Sequence, residues 1–202
     1  MHRLVDRRSD SVRTVILVDI VTADEGSDAT CTIFLVRHAE SLVNAGLVRP
    51  QDVGPDGSPL SDLGREQASA LADRLGTIAF AAFYSSDLAR ARETAEIASG
   101  GAAVTTSSDL RERFLTEDGE LELRADVVGR MRGTLERIAA VHPGARVLAV
   151  GHGYAMRAYL VSIGFATREQ LPAGAIESTG YVTLRIGPHG HRVVSSDGVT
   201  AG

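Results

Sequence analysis

The chain has 202 residues, 44% apolar and 23% charged, with a net charge of -5 at pH 7, the size and balance of one globular domain with at most a small appendage. The acidic balance speaks against a nucleic-acid or anionic-membrane binder, since those carry a basic surplus. All 21 basic residues are arginine, which excludes a lysine Schiff base, a pyridoxal-phosphate attachment and a complete Walker A loop; a single cysteine, Cys31, excludes an internal disulfide framework and a cysteine-based zinc site.

Residues 1–30 read as an N-terminal extension, with a candidate extra strand over residues 12–21 carried by its β-branched content. The apolar run Val15–Val18, broken by Asp19, is too short for a signal-peptide core or a membrane span, and the expected compartment is cytoplasmic. A second start follows at 31–202. Thr32–Val36 is a continuous apolar run, the mark of a strand buried on both faces, and it ends abruptly in Arg37-His38. Cys31 reads as a small apolar residue opening that strand. After a Gly- and Pro-rich loop over 45–60, Ser61-Asp62 opens a helix that runs to Leu75 and stops at Gly76.

Phe80–Tyr84 is a second expected buried strand. Ser85-Ser86-Asp87 supplies capping residues for a helix over 88–98, ended by Gly100-Gly101. A short strand is expected over 102–106, then a polar irregular stretch over 107–123 with an acidic cluster at Glu117, Asp118, Glu120 and Glu122. A long helix covers 124–141 and stops at His142-Pro143-Gly144. Arg146–Val150 is a third buried strand, followed by Gly151-His152-Gly153 and a helix to Ile163. Tyr181–Ile186 and His191–Ser195, with a Pro-His-Gly turn between them, read as a terminal hairpin.

Buried strands alternating with helices predict an α/β domain, a three-layer sandwich with a mostly parallel central sheet flanked by helices. Ligands bind beyond the carboxyl ends of such strands. Two strands deliver His38 and His152 there, and a third leads to Arg90 one turn into its helix. That set suits a phosphoryl group: its charge is close to about -2, arginine forks fit its oxygens, and a neutral imidazole held in one tautomer can attack it. His2, His142, His189 and His191 read as surface residues, and Glu40 as a structural partner.

The stretch LVRHAES, with Asn44 six residues beyond His38, resembles the Arg-His-Gly-Glu signature of the histidine phosphatase superfamily, which includes the cofactor-dependent phosphoglycerate mutases. Pro59-Leu60-Ser61 with Gly64 and Gln67-Ala68, Tyr84 to Ala91 with Thr94-Ala95, Asp109-Leu110-Arg111-Glu112, and Val147–Gly153 resemble further motifs of that family, in family order. Ala39 stands where the family has glycine and Asp87 where proline is common.

The resemblance implies a phosphoglycerate mutase-like fold, and roles position by position. His38 becomes the nucleophile that forms phosphohistidine. Arg37, Arg90 and His152 hold the phosphoryl oxygens, Asn44 adds a polar contact, and Glu112 is the proton donor. Gln51 and Arg113 are open candidates for substrate contact. Mutases of the family carry a long insertion between the acid and the second histidine; here only 39 residues separate Glu112 from His152, which favours a phosphatase. A mutase-type phosphotransferase and a non-catalytic phosphate-binding module are the alternatives. No metal or cofactor is required, because arginines and histidines supply the positive charge. The expected partner is a small-molecule phosphate ester, with no nucleic acid or membrane, and a homodimer is open. The acidic cluster at 117–122 mildly disfavours a second anionic group in the pocket, with Arg111, Arg113 and Arg124 available to offset it.

Overall fold

In the computed structural model, which describes residues 29–201, the apolar run after Thr30 forms β1, Cys31–Arg37. The extension, with the strand expected over 12–21, lies outside the described residues, apart from 29–30. The remaining strands are β2 (Ala82–Ser86), β3 (Val104–Ser107), β4 (Arg146–Gly151), β5 (Ile176–Gly187) and β6 (Gly190–Val199). The helices are α1 (Asp62–Leu75), α2 (Ala89–Ala98), α3 (Arg124–Val141) and α4 (Gly153–Ser162).

Six strands form one sheet in the order β3-β2-β4-β1-β5-β6. β1, β2, β3 and β4 pair in parallel. β5 runs antiparallel to β1, and β6 antiparallel to β5, so β5 alone opposes the common direction.

The period-2 alternation of the central strands divides the core between two helical layers. Ile33, Leu35, Val147 and Ala149 pack on one face with Val127, Met131 and Leu135 of α3 and Met156 and Leu160 of α4. Phe34, Val36, Leu148 and Val150 pack on the other with Leu71 and Leu75 of α1 and Ala91 and Ala95 of α2. This is the expected three-layer architecture.

The α3 and α1 boundaries fall where the stop and cap residues put them. The Ser61 hydroxyl accepts from Gly64 N at 2.9 Å and caps α1. β2 begins two residues later than expected. Phe80 belongs to the apolar run but packs edge-on against Phe34, with ring centroids 5.2 Å apart, before the strand starts. The cap of α2 also differs: its N-cap is Leu88, and Ser86 Oγ accepts from Leu88 N at 3.2 Å, while Asp87 turns away to Arg111 at 2.7 and 2.8 Å.

The parallel pairing of β1 and β4 fixes the site. Arg37 is in register with Gly151, and His38 N donates to Gly151 O at 3.0 Å. His38 and His152 therefore leave adjacent strands at the same level.

Candidate active site

His38 is 4% exposed and His152 fully buried, with ring centroids 5.0 Å apart. His38 Nδ1 lies 2.6 Å from Ala39 O. A carbonyl can only accept, so Nδ1 carries the proton and Nε2 is left with its lone pair. Arg90 Nε donates to that Nε2 at 3.1 Å. Burial, then Arg90 and Arg37, push the His38 pKa down to about 3 against the opposing pull of the Ala39 carbonyl. His38 is thus a neutral imidazole with one committed N–H and one unprotonated nitrogen.

Residues of the family-like motifs hold this geometry. Thr94 Oγ1 donates to Arg90 O at 2.7 Å and accepts from Ala39 N at 3.0 Å, tying the histidine loop to α2. Gln67 Oε1 accepts from Glu40 N, and Ser61 Oγ donates to Glu40 Oε1 at 2.7 Å. Glu40 is therefore a structural partner, as expected. The α1 start approaches so closely that a Cβ at Gly64 would lie 1.9 Å from Glu40 O; only glycine fits there.

Arg37 Nη1 donates to Ile176 O at 2.6 Å, while its Nε is buried with no hydrogen-bond partner. Burial lowers the pKa of both Arg37 and Arg90, and Glu112 opposes that shift in each; both remain cationic. Both ring nitrogens of His152 are likewise buried and unpartnered. Burial, then His38, Arg90, Arg130 and Arg37, hold His152 well below the ordinary histidine range. An unsatisfied buried polar group costs about 1–3 kcal/mol, so unpaired groups clustered around His38 mark a place built for a polar ligand.

Glu112 sits at the N-terminus of α4. Its Oε2 accepts from Tyr154 N at 3.1 Å, and its Oε1 from Ala155 N at 3.1 Å and Arg113 N at 3.0 Å. Its segment is clamped by Arg130 of α3, which donates to the carbonyls of Asp109, Arg111 and Glu112. Arg130 also forms a buried pair with Glu122 at 2.6 and 2.8 Å.

A cavity of about 510 Å³ opens in front of these groups, within the usual range for small-molecule sites. Arg37, His38, Asn44, Arg90 and Glu112 line it. His152 is brought beside His38 but does not line the cavity. Asn44 Oδ1 accepts from Ser41 Oγ at 2.9 Å and Ser41 N at 3.3 Å, which orients its amide. Gln51 and Arg113 do not line the cavity; Arg113 donates to Glu122 O at 2.6 Å and lies over the Tyr154 ring.

Three expectations are corrected. The acidic cluster does not line the cavity, and its member Glu122 is buried against Arg130. His191 is not a surface residue: its side chain is 5% exposed, held between Tyr159 Oη at 2.6 Å and Glu136 at 3.0 Å. Arg111, offered with Arg113 and Arg124 to offset the acidic cluster, is taken up by Asp87 instead. Arg157 and the loop 172–176, both lining the cavity, were missed; Arg157 lies five residues beyond His152 on the helix that histidine begins. Among the described residues no group of three or more His, Cys, Asp or Glu side chains could hold a metal ion, and no helix is long and apolar enough to cross a membrane.

Comparison with known proteins places the site in a family context. The sequence profile described as histidine phosphatase superfamily (branch 1) matches residues 33–121 and 114–197. A metal-independent phosphoserine phosphatase of Arabidopsis thaliana is 32% identical over 165 residues, covering 65% of this chain and 68% of that protein. A probable phosphoglycerate mutase GpmB of Cronobacter sakazakii is 30% identical over 154 residues, covering 61% and 70%. The solved structure of Bacillus stearothermophilus YhfR superimposes with a TM-score of 0.71 at 25% identity, covering 85% of this chain and 98% of that one.

Proposed function

Since the chain belongs to the histidine phosphatase superfamily, we propose that it is a metal-independent phosphatase that hydrolyses a phosphomonoester through a phosphohistidine on His38. The observation that carries this reading is the state of His38: Nδ1–H is committed to Ala39 O, and the unprotonated Nε2 faces Arg90.

In the first step Nε2 attacks phosphorus, the ester P–O bond breaks, and Glu112 gives its proton to the leaving oxygen. Arg37 and Arg90 take the charge that develops on the equatorial oxygens. His152, whose ring nitrogens are buried and unpartnered beside His38, donates one hydrogen bond from its neutral ring to the phosphoryl group once that group is seated on His38. Asn44 contacts the substrate from the cavity wall. In the second step water attacks phosphorus, Glu112 takes a proton from that water, the P–N bond breaks and inorganic phosphate leaves.

Hydrolysis is favoured over transfer back to substrate by what covers the site. Between Glu112 and His152 the chain holds only the loop 113–123, α3, β4 and the short connections between them, and among the described residues no inserted lid closes the cavity against water. Phosphate release from an aryl phosphate in the presence of a chelator tests the reading. Turnover by the wild type, and none by His38→Ala, is expected. Strict metal dependence, isomerisation of a phosphoglycerate without phosphate release, or phosphate binding without turnover would each count against it.

A further inference from the structure

Between Glu112 and α3 the chain folds back on itself as a small hairpin. Leu115 bridges Leu121, Thr116 N donates to Glu120 O at 2.7 Å, and Gly119 N donates to Thr116 O at 2.9 Å in the turn. The two-residue period of extended chain divides its side chains between two faces. Phe114 and Glu122 face Arg130, which lies over the Phe114 ring and pairs with Glu122. Leu115, Leu121 and Leu123 take the other face and are 64%, 53% and 66% exposed. A single exposed leucine is ordinary, but three on one face make a patch of the kind that marks a contact surface.

Opposite charges stand at the two ends of this leucine face. The turn carries Glu117, Asp118 and Glu120, all exposed. At the other end, directly after Leu123, Arg124 borders a shallow depression lined by Tyr154, Ala158 and Val161 and by the further arginines Arg157 and Arg168. Among the described residues none of these three acids and none of these three arginines forms an ion pair. Glu169, beside Arg168 in sequence, is hydrogen-bonded to Thr167 instead. The hairpin holds its acidic turn away from its own arginines, so the two groups do not satisfy each other within one chain.

A second copy satisfies them. In a two-fold contact the same patch serves both partners, so the patch must be complementary to itself. Two leucine faces laid together in opposite directions bring the acidic turn of each hairpin to the arginine-lined depression of the other. The leucines form the apolar centre and the charges the polar rim, the usual anatomy of a specific interface. We propose that hairpin 114–122, with Leu123 and the adjoining depression, is a self-complementary interface whose partner is a second copy of this chain. Tyr154 and Arg157 line the catalytic cavity as well as the depression, so the partner's acidic turn borders the mouth of that cavity.

Sedimentation of the full chain across the micromolar range tests this. The wild type is expected to dimerise, and raised salt to weaken the dimer. Glu117→Arg with Glu120→Arg, and separately Arg124→Glu with Arg168→Glu, are each expected to weaken self-association about 100-fold or more, because like charges then meet at both ends of the contact. Mixed one to one, the two variants are expected to pair with each other: a reversed turn meets a reversed depression at one end, and an unaltered pair meets at the other. That recovery also shows that both variants fold. A wild type that stays monomeric, a dimer that both variants leave intact, or variants that fail to pair when mixed would each overturn the proposal. Saturable binding of inorganic phosphate to a monomer through Arg124 and Arg168 would overturn it too, and would assign the depression to a small anion.

Discussion

Lowering the pH from about 7 to about 5 should destabilise the folded chain, and replacing His38 should remove a definable share of that loss. Folding moves the His38 pKa from 6.5 to about 3, chiefly by burial and then by Arg90 and Arg37. In the unfolded chain the imidazole takes up a proton once the pH drops below about 6.5, whereas in the folded chain it stays neutral. The unfolded state then binds more protons, so stability falls as pH falls, starting near the ordinary value of 6.5 and ending near the folded value of about 3. For one such group the loss between pH 7 and pH 5 is about 2 kcal/mol. His152 and His191 are shifted the same way, mainly by burial, so the wild type should lose more than this. Urea denaturation of wild type and His38→Asn at both pH values isolates the His38 share. The stability difference between the two proteins should move by about 2 kcal/mol in favour of the variant as pH falls. Parallel pH dependence, or a wild type more stable at the lower pH, would refute the buried neutral histidine.

The remaining predictions concern groups that hold or serve that site. Arg130→Met leaves the buried Glu122 carboxylate without its partner and should cost about 3–5 kcal/mol in urea unfolding; because Arg130 also clamps the segment bearing Glu112, kcat should fall as well. Gly64→Ala places a methyl group 1.9 Å from a backbone oxygen and should lower stability by about 1–3 kcal/mol, visible as a reduced thermal midpoint. Glu112→Gln should slow alkyl phosphates about 100-fold or more, and aryl phosphates, whose leaving groups need less protonation, distinctly less; equal slowing of both would remove Glu112 from the proton-donor role.

Much of the fold and site was legible because the deciding signals are local. The run ending in Arg37-His38 has the continuous apolarity of a central strand, and α3 is bounded by His142-Pro143-Gly144 as its pattern implies. The spacing of Thr94, Gln67 and Gly64 carried information whose physical content appears only in three dimensions, as the hydrogen bonds and close approach that brace the histidine loop. What stayed hidden depends on distant partners. Glu122 read as one member of an acidic cluster bearing on the pocket, but Arg130 buries it from the next helix. His191 looked like a hairpin residue, but Tyr159 and Glu136 enclose it. Asp87 departed from the family pattern for no local reason; its partner Arg111 lies 24 residues away. Arg157 carried no motif at all, and only the cavity reveals it.

The central claim is the covalent role of His38, and rapid quenching of the enzyme with a phosphate ester, followed by peptide mass spectrometry, tests it most directly. An acid-labile, base-stable phosphoryl group on the peptide containing His38, formed within one turnover and absent from His38→Ala, is the predicted result. Full turnover without that adduct, or the same phosphoenzyme in His38→Ala, would contradict it.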